Sequence, residues 1–376
     1  MTTPKSRALT RLDAAIAAAG SPVAAACLKA ERAGLLARLG RFDEVRRTLD
    51  ELRAQHANTP SPALAAWLCL AEGLMDHYRD QAASARDRIQ RAYAFSTAAR
   101  ERPLIAVCAA WLAHFDYVYD DLGGVARHVA EALQEAADDH HAARARACLV
   151  AAQSYHWGGR SERAQPWYQR AREHATADGD ATTIGALMIN RAWISGNQAR
   201  MASIFGPDAA APNPNAVREA LVGAESAGHF DAYVGRNALR SMARVMRAQL
   251  VLAQGDYAEA LALFDAHLPG AVDDGLSYML PVLHADIAWC KFKLGCADDA
   301  LAEARLAQAS FGPDCEEEDS AAANGRLAQV FSALGLDAEA KPHAERAAAE
   351  LKTLREQQAL LVSLLDAALR QVPGLQ

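Results

Sequence analysis

The sequence contains few aromatic residues, which make up 6% of its 376 residues, and no uninterrupted apolar stretch long enough to cross a bilayer. A membrane-spanning helix needs about 20 consecutive apolar residues. The first residues carry charges at Lys5, Arg7, Arg11 and Asp13, where a secretory leader would be apolar. These absences predict a cytoplasmic protein that has no membrane partner.

Positive charge is not concentrated in any part of the chain. The 39 Lys and Arg residues and 46 Asp and Glu residues give a net charge of −7, and no basic tract occurs. Nucleic acids and anionic membranes bind clustered positive charge, so neither is predicted as a partner. The seven cysteines are an odd number and mostly lie in apolar helical pattern, which indicates free thiols in a reducing compartment.

Recognisable catalytic and metal-binding motifs are also lacking. The chain has no Gly-x-Ser-x-Gly elbow, no His-Glu-x-x-His, no phosphate-binding glycine loop and no Cys-x-x-Cys. The run Asp138-Asp139-His140-His141 is interpreted as a solvated polar turn rather than a metal site. No catalytic residue, metal ligand or cofactor is therefore predicted.

Alanine and leucine are abundant in a composition that is 51% hydrophobic, and both favour helices because they lose little entropy there. One turn motif recurs in four clear copies, which contain Gly40, Gly255, Gly295 and Gly335. The last three glycines are 40 residues apart. A glycine suits the left-handed end of one helix, and the acidic residues that follow it suit the positive N-terminus of the next.

Weaker copies of the turn at Asp80, Asp121, Gly159 and Gly196 extend the series, with one irregular step of 59 residues before Gly255. Each turn is flanked by stretches with apolar residues at i, i+3, i+4 and i+7, which is the pattern of amphipathic helices. The sequence therefore predicts an all-α chain of helix–turn–helix units. The alternative is a helical bundle in which such hairpins recur by chance.

The segment Gly-Asp-Tyr-Ala-Glu-Ala that begins at Gly255 resembles the second-helix opening of the tetratricopeptide repeat family. Small residues such as Gly73 and Ala85 occupy positions where the paired helices of that family approach closely. The resemblance covers roughly residues 22–350, although the period of 40 is longer than the family's, which is about 34. It implies a right-handed α-solenoid of about eight antiparallel hairpins with capping helices.

Three segments are expected within this superhelix, which is predicted to be continuous. Residues 1–198 hold an N-terminal cap helix and the first hairpins, 199–214 form an insertion rich in proline and asparagine, and 215–376 hold the C-terminal hairpins and a capping helix. Prolines forbid a continuous helix, so residues 196–215 are predicted to be non-helical and mobile, as a lid, a hinge or a plain loop. The leucine-rich residues 351–372 are expected to cap the final hairpin or to form a homodimer.

In the family the first helix of each hairpin lines a concave groove, and the matching positions here are rich in aromatic residues. Such positions predict a ligand or partner site because aromatic walls with a few polar groups suit recognition. The alternative is that these side chains pack between neighbouring hairpins. The predicted groove residues are Trp67, His77, Tyr78, Trp111, Phe115, Tyr119, Gln153, His156, Trp157, Asn190, Trp193, Met246 and Trp289.

The resemblance implies a non-catalytic interaction module of bacterial type that binds a peptide or a partner protein. A second reading is a regulatory domain that senses a small ligand or a signalling peptide. A third reading is an enzyme built on a helical scaffold, for which histidines in the groove would be the titratable candidates.

Overall fold

The computed structural model describes residues 6–58, 61–80, 82–206, 215–234, 240–273, 275–313 and 315–374. Within these ranges the chain forms 17 α-helices, one short 3-10 helix and no β-strand, so the predicted all-α fold is confirmed. The seven cysteines are free thiols, as the sequence indicates.

Most helices occur as consecutive antiparallel pairs joined by short turns, and a single helix, α1 (Arg7–Ala17), precedes them. The pairs in the first half are α2 (Pro22–Arg38) with α3 (Phe42–His56), α4 (Pro62–Asp80) with α5 (Ser84–Ala99), α6 (Arg102–Val118) with α7 (Leu122–Glu135), and α8 (His141–Trp157) with α9 (Ser161–Asp178). They are followed by α10 (Ala181–Phe205) and α11 (Ala216–Val234). The remaining helices are α12 (Arg240–Gln254) with α13 (Tyr257–Asp273), α14 (Leu280–Lys293) with α15 (Ala297–Ser310), and α16 (Glu317–Ala333) with α17 (Asp337–Leu369).

The repeated glycines end the first helix of a pair in the left-handed conformation, as predicted. Their φ angles lie between 71° and 89° at Gly40, Gly159, Gly255, Gly295 and Gly335. At the first of these turns the amide of Gly40 donates to the carbonyl of Ala37, and the amide of Arg41 donates to that of Leu36. These bonds satisfy the free carbonyls at the end of the helix. The turn motif therefore correctly locates the ends of these helices.

Close approach of paired helices explains one of the small residues. A Cβ atom on Gly73 of α4 would lie 2.7 Å from Cδ1 of Ile89 and 3.1 Å from the carbonyl oxygen of Ala85 on α5. A larger residue at Gly73 would thus separate α4 from α5, as the family pattern implies.

The chain divides into two compact units. The first comprises Met1–Met188, Ala227–Ala238 and Leu360–Gln376, and the second comprises Ile189–Ser226 and Leu239–Ala359. These units do not coincide with the predicted segments 1–198, 199–214 and 215–376. The continuity and handedness of a superhelix remain predictions.

The position of the C-terminal leucines differs from the prediction, which placed them against the final hairpin. Leu361, Leu365 and Leu369 are buried in the core of the first unit, together with residues of α8 and α9 such as Leu149 and Tyr168. Asp366 of the same segment accepts a hydrogen bond from the hydroxyl of Tyr155 at 2.6 Å. The apolar surface that suggested a homodimer is therefore largely covered within the chain, which leaves dimerisation a prediction without its main argument.

Helix α10, most of which lies in the second unit, extends into residues 196–215, which the sequence predicted to be non-helical. The expected turn at Gly196 is absent, because the helix continues through this residue to Phe205. Gly196 instead allows close packing, since a Cβ atom there would lie 2.7 Å from Cδ2 of Leu250. The prolines begin only at Pro207, so the backbone N–H groups before it remain available for helical bonds. Residues 207–214 of the predicted insertion lie outside the described residues.

Candidate functional site

A cavity of about 60 Å³ lies in the first unit, against the first helices of four successive pairs. Its lining includes Glu31 and Arg38 of α2, Trp67 of α4, Trp111 of α6 and Arg146 of α8. The N-terminal helix contributes Arg11, the end of α9 contributes Asp178, and the start of α10 contributes Asp180, just before the helix, and Thr183 in its first turn. The cavity thus combines aromatic walls with charges of both signs.

Trp111 is the central aromatic residue of this cavity and is only 6% exposed. The guanidinium carbon of Arg146 lies 3.9 Å from the centre of its ring, and that of Arg38 lies 5.2 Å from it. Cations are attracted to the negative face of an indole, most strongly where water is excluded. Trp111 therefore holds two arginine side chains in place within the wall.

Arg38 is anchored by an ion pair that also begins α10. Its Nη2 atom lies 2.9 Å from Asp180 Oδ2 and donates to the Thr183 hydroxyl at 2.7 Å. Asp180 accepts hydrogen bonds from the backbone amides of Thr182 and Thr183, which satisfies the free N–H groups of the helix start. Burial alone would raise the pKa of Asp180, but Arg38 and these hydrogen bonds lower it well below the usual range.

A second ion pair joins Arg11 to Asp178 at 2.9 Å. Within the described chain Glu31 makes no hydrogen bond and no ion pair. Burial raises the pKa of Glu31 to about 7, against the attraction of Arg11 and with the repulsion of Asp178. At neutral pH this carboxyl group is therefore poised between its neutral and charged forms.

Histidine rings extend the aromatic wall beyond the cavity. The ring centre of His114 lies 5.7 Å from that of Trp111 and 5.7 Å from that of His77, which also contacts Phe115 at 5.1 Å. Burial, with Arg146 nearby, lowers the pKa of His77 to about 4 and lowers that of His114 well below its usual value. Both imidazoles are therefore neutral packing groups near neutral pH, not bases that titrate there.

Of the predicted groove residues, Trp67 and Trp111 line the cavity, and others in the first unit lie elsewhere. Phe115 is fully buried and Tyr119 is 38% exposed beside it. Tyr78 and Gln153 are buried, and His156 is buried with its Nδ1 atom 3.1 Å from the hydroxyl of Tyr168. Trp157 packs on the core that contains α8 and α9.

The predicted groove residues of the second unit form separate packing groups. Trp193 of α10 and the buried Met246 of α12 pack in one apolar cluster with Leu250. Asn190 is half-buried one turn earlier on α10. Trp289 of α14 lies beneath Arg326 and Lys293, whose charged ends are 5.4 and 4.7 Å from its ring centre. Several of the predicted groove aromatics thus pack against neighbouring helices, which is the alternative to a groove position.

The charged lining of the cavity is absent from the sequence prediction. Glu31, Arg38 and Arg146 lie on faces of α2 and α8 where Ala30, Gly34, Leu35, Ala142 and Ala143 are also cavity residues. A charge within an otherwise apolar helical face is the signal that could have identified them. The partners Asp178 and Asp180 lie at the end of α9 and just before α10, where no periodicity marks them.

Neither a membrane-spanning helix nor a metal-binding cluster is found among the described residues. Among the described helices, none combines the length and apolarity needed to cross a bilayer. In the part of the chain that the structure describes, no three His, Cys, Asp or Glu residues are grouped so as to hold a metal ion.

Comparison with known proteins identifies the fold. No protein-family model matches this chain, and no curated protein does. The crystal structure of a Rap protein complexed with competence and sporulation factor is similar, with a TM-score of 0.57 and 12% sequence identity. The similarity covers 93% of this chain and 99% of that protein. This chain has the Rap protein's helical-repeat fold. At 12% sequence identity, this similarity shows the fold and nothing more.

Proposed function

We propose that this chain is a non-catalytic interaction module that binds a short peptide at the cavity of the first unit. The observation that carries the proposal is the cavity itself, in which Trp67 of α4 and Trp111 of α6 lie beside charged residues of α2 and α8. Concave apolar sites with a few convergent polar groups are the usual form of ligand sites. The Rap protein that shares the fold was crystallised with a bound factor, which supports a binding role.

The local electrostatics also support binding rather than catalysis. Arg38 and Asp180 are held by each other and by Thr183, so their charges are fixed in position. The imidazoles of His77 and His114 stay neutral near neutral pH because burial lowers their pKa values. A general base works best when its pKa is near the working pH, which neither histidine meets.

A regulatory domain that senses a compact ligand is the second candidate. The observation that favours it is the small size of the cavity, which at about 60 Å³ suits one side chain or a small molecule better than a protein surface. In this reading ligand binding stabilises the first unit by mass action, and its consequences are transmitted to a partner protein.

The test uses tryptophan emission and thermal unfolding with a pool of synthetic pentapeptides as the probe. The variants are Trp111→Phe at the cavity and Trp157→Phe, a control tryptophan of the same unit that packs on the core. We expect the pool to shift emission and raise the unfolding temperature of the wild type and Trp157→Phe, but not of Trp111→Phe. An emission change that disappears in Trp157→Phe and persists in Trp111→Phe would place the site elsewhere.

A further inference from the structure

Charged side chains of both signs line the cavity, and two of its arginines form ion pairs with aspartates. Arg11 lies 2.9 Å from Asp178, and Arg38 lies 2.9 Å from Asp180. The guanidinium of Arg146 stacks on Trp111, with 3.9 Å between its carbon and the ring centre. Glu31 lines the same cavity and, within the described residues, neither accepts a hydrogen bond nor forms an ion pair.

We propose that Glu31 binds an ammonium group of the ligand, with the indole rings of Trp67 and Trp111 forming the adjacent wall. The inference rests on the proposed function, because it assumes that this cavity is the ligand site. A carboxylate removed from water needs a counter-charge, and aromatic faces add to the attraction for a cation. The cavity has both features, because Glu31, Trp67 and Trp111 all line it.

At Arg38 and Arg11 an anionic ligand group would have to displace a bound aspartate. To reach Arg38 it would compete with Asp180, whose carboxylate is fixed by hydrogen bonds from Thr182 and Thr183. To reach Arg11 it would compete with Asp178. Among the described residues no cation is ion-paired with Glu31, so an ammonium group meets no such competitor there and a cationic ligand group is favoured at this position.

Titration of Glu31 supplies a second, independent readout. Burial raises its pKa to about 7, with Arg11 of α1 lowering it and Asp178 at the end of α9 raising it. The other charged groups around the cavity are Arg38 on the same helix, Arg146 on α8 and Asp180 before α10. A bound ammonium group favours the ionised carboxyl, so binding releases a proton and weakens as the pH falls below about 7.

Two sources could supply the ammonium group, namely a free peptide N-terminus and a lysine side chain. Three pools of synthetic pentapeptide amides separate them. The first has free amino termini and no basic side chain, the second is N-acetylated with one lysine, and the third is N-acetylated without a basic side chain. Each pool is applied to the immobilised full chain, and bound peptides are quantified by mass spectrometry.

The variants are Glu31→Gln, which keeps the shape without the charge, and Glu51→Gln, a control at an exposed position on α3. We expect the wild type and Glu51→Gln to retain the first or second pool about tenfold better than the third, and Glu31→Gln to lose that preference. Wild-type capture of the lysine pool, whose ammonium group stays charged, should also fall about tenfold between pH 8 and pH 6 as Glu31 takes up its proton.

The outcomes separate the inference from the proposed function. Equal capture of the three pools, or preference for acidic peptides, overturns the ammonium site while peptide binding stands. Absence of capture of any pool by the wild type overturns both. Circular dichroism checks that Glu31→Gln retains its helices. If the variant does not fold, the pH dependence of capture by the wild type tests the ammonium site.

Discussion

At the scale of single residues, Glu31 and Asp180 show how partners decide the behaviour of buried carboxyl groups. Both face one cavity, yet the pKa of Glu31 is raised to about 7 and that of Asp180 is lowered. Burial acts on both in the same direction. Asp180 differs because Arg38 and the N-terminal amides of α10 stabilise its charge more than burial opposes it.

Stability should therefore depend on pH through Glu31. Its pKa is raised in the folded chain, so folding is favoured most where the carboxyl is protonated and loses stability as pH rises from about 4.5 to about 7. Substitution of Glu31 by Gln should flatten this part of the profile and leave the chain more stable at pH 8. Urea unfolding of both proteins at several pH values measures it. Parallel profiles would contradict the assigned environment.

Close packing at Gly325 gives a second prediction, in the second unit. A Cβ atom there would lie 2.5 Å from Cγ2 of Ile204 and 2.8 Å from Cζ of Phe205. Overpacking of this kind costs about 1–3 kcal/mol, so Gly325→Ala should be destabilised by that amount in urea unfolding. Gly312→Ala is the control, because nothing lies within 4 Å of its added atom. Equal stability of both variants would show that Ile204 and Phe205 move aside freely.

At the scale of elements, α10 shows how a neighbouring helix fixes a helix end. The side-chain amide of Gln329 on α16 donates to the backbone carbonyl of Ile204 at 3.0 Å, and Arg326 donates to the hydroxyl of Ser203 at 3.2 Å. The last carbonyls of a helix have no partner within it. Gln329 supplies one, which anchors the final turn of α10 beside Gly325.

The C-terminal part of α17 offers a matched pair of substitutions. Leu365 is fully buried in the first unit, whereas Leu360 is 51% exposed. Truncation of a buried leucine costs about 2–5 kcal/mol, because apolar contacts are lost and a cavity remains. We expect Leu365→Ala to be destabilised by that amount and Leu360→Ala by much less, as measured by thermal or urea unfolding. Similar losses in the two variants would contradict the position of this segment.

At the scale of the whole molecule, the two compact units should respond separately to substitutions. Local stability varies across a protein, and hydrogen exchange reports it segment by segment. Leu365→Ala should accelerate exchange in α8 and α9 of the first unit before it affects α14 and α15 of the second. Uniform acceleration throughout the chain would show that the units unfold as one.

The oligomeric state is the second question at this scale. Leu361, Leu365 and Leu369 are buried inside the chain, so they offer no surface to a second subunit. We expect light scattering to give the mass of a monomer at tens of micromolar protein. A dimer in the intact protein that persists in a Leu360→Asp variant would point to another interface.

Much of the fold could be predicted from the sequence, whereas little of the site could. The turn motif located the helix ends at Gly40, Gly255, Gly295 and Gly335, because a left-handed glycine and the bonds around it involve residues only a few positions apart. The prediction failed at Gly196, where a glycine serves packing against Leu250 instead of a turn. Sequence pattern alone does not distinguish these two uses.

The sequence by itself determined the helical pairs, since amphipathic period and turn chemistry are local properties. Tertiary structure decided which faces meet. Tyr155 and Asp366 are 211 positions apart but joined by a hydrogen bond, and Arg38 meets Thr183 across 145 positions. Such pairings depend on how helices pack, so the tertiary structure alone brought Glu31 into the cavity beside Trp67 and Trp111, where none of the described residues forms an ion pair with it.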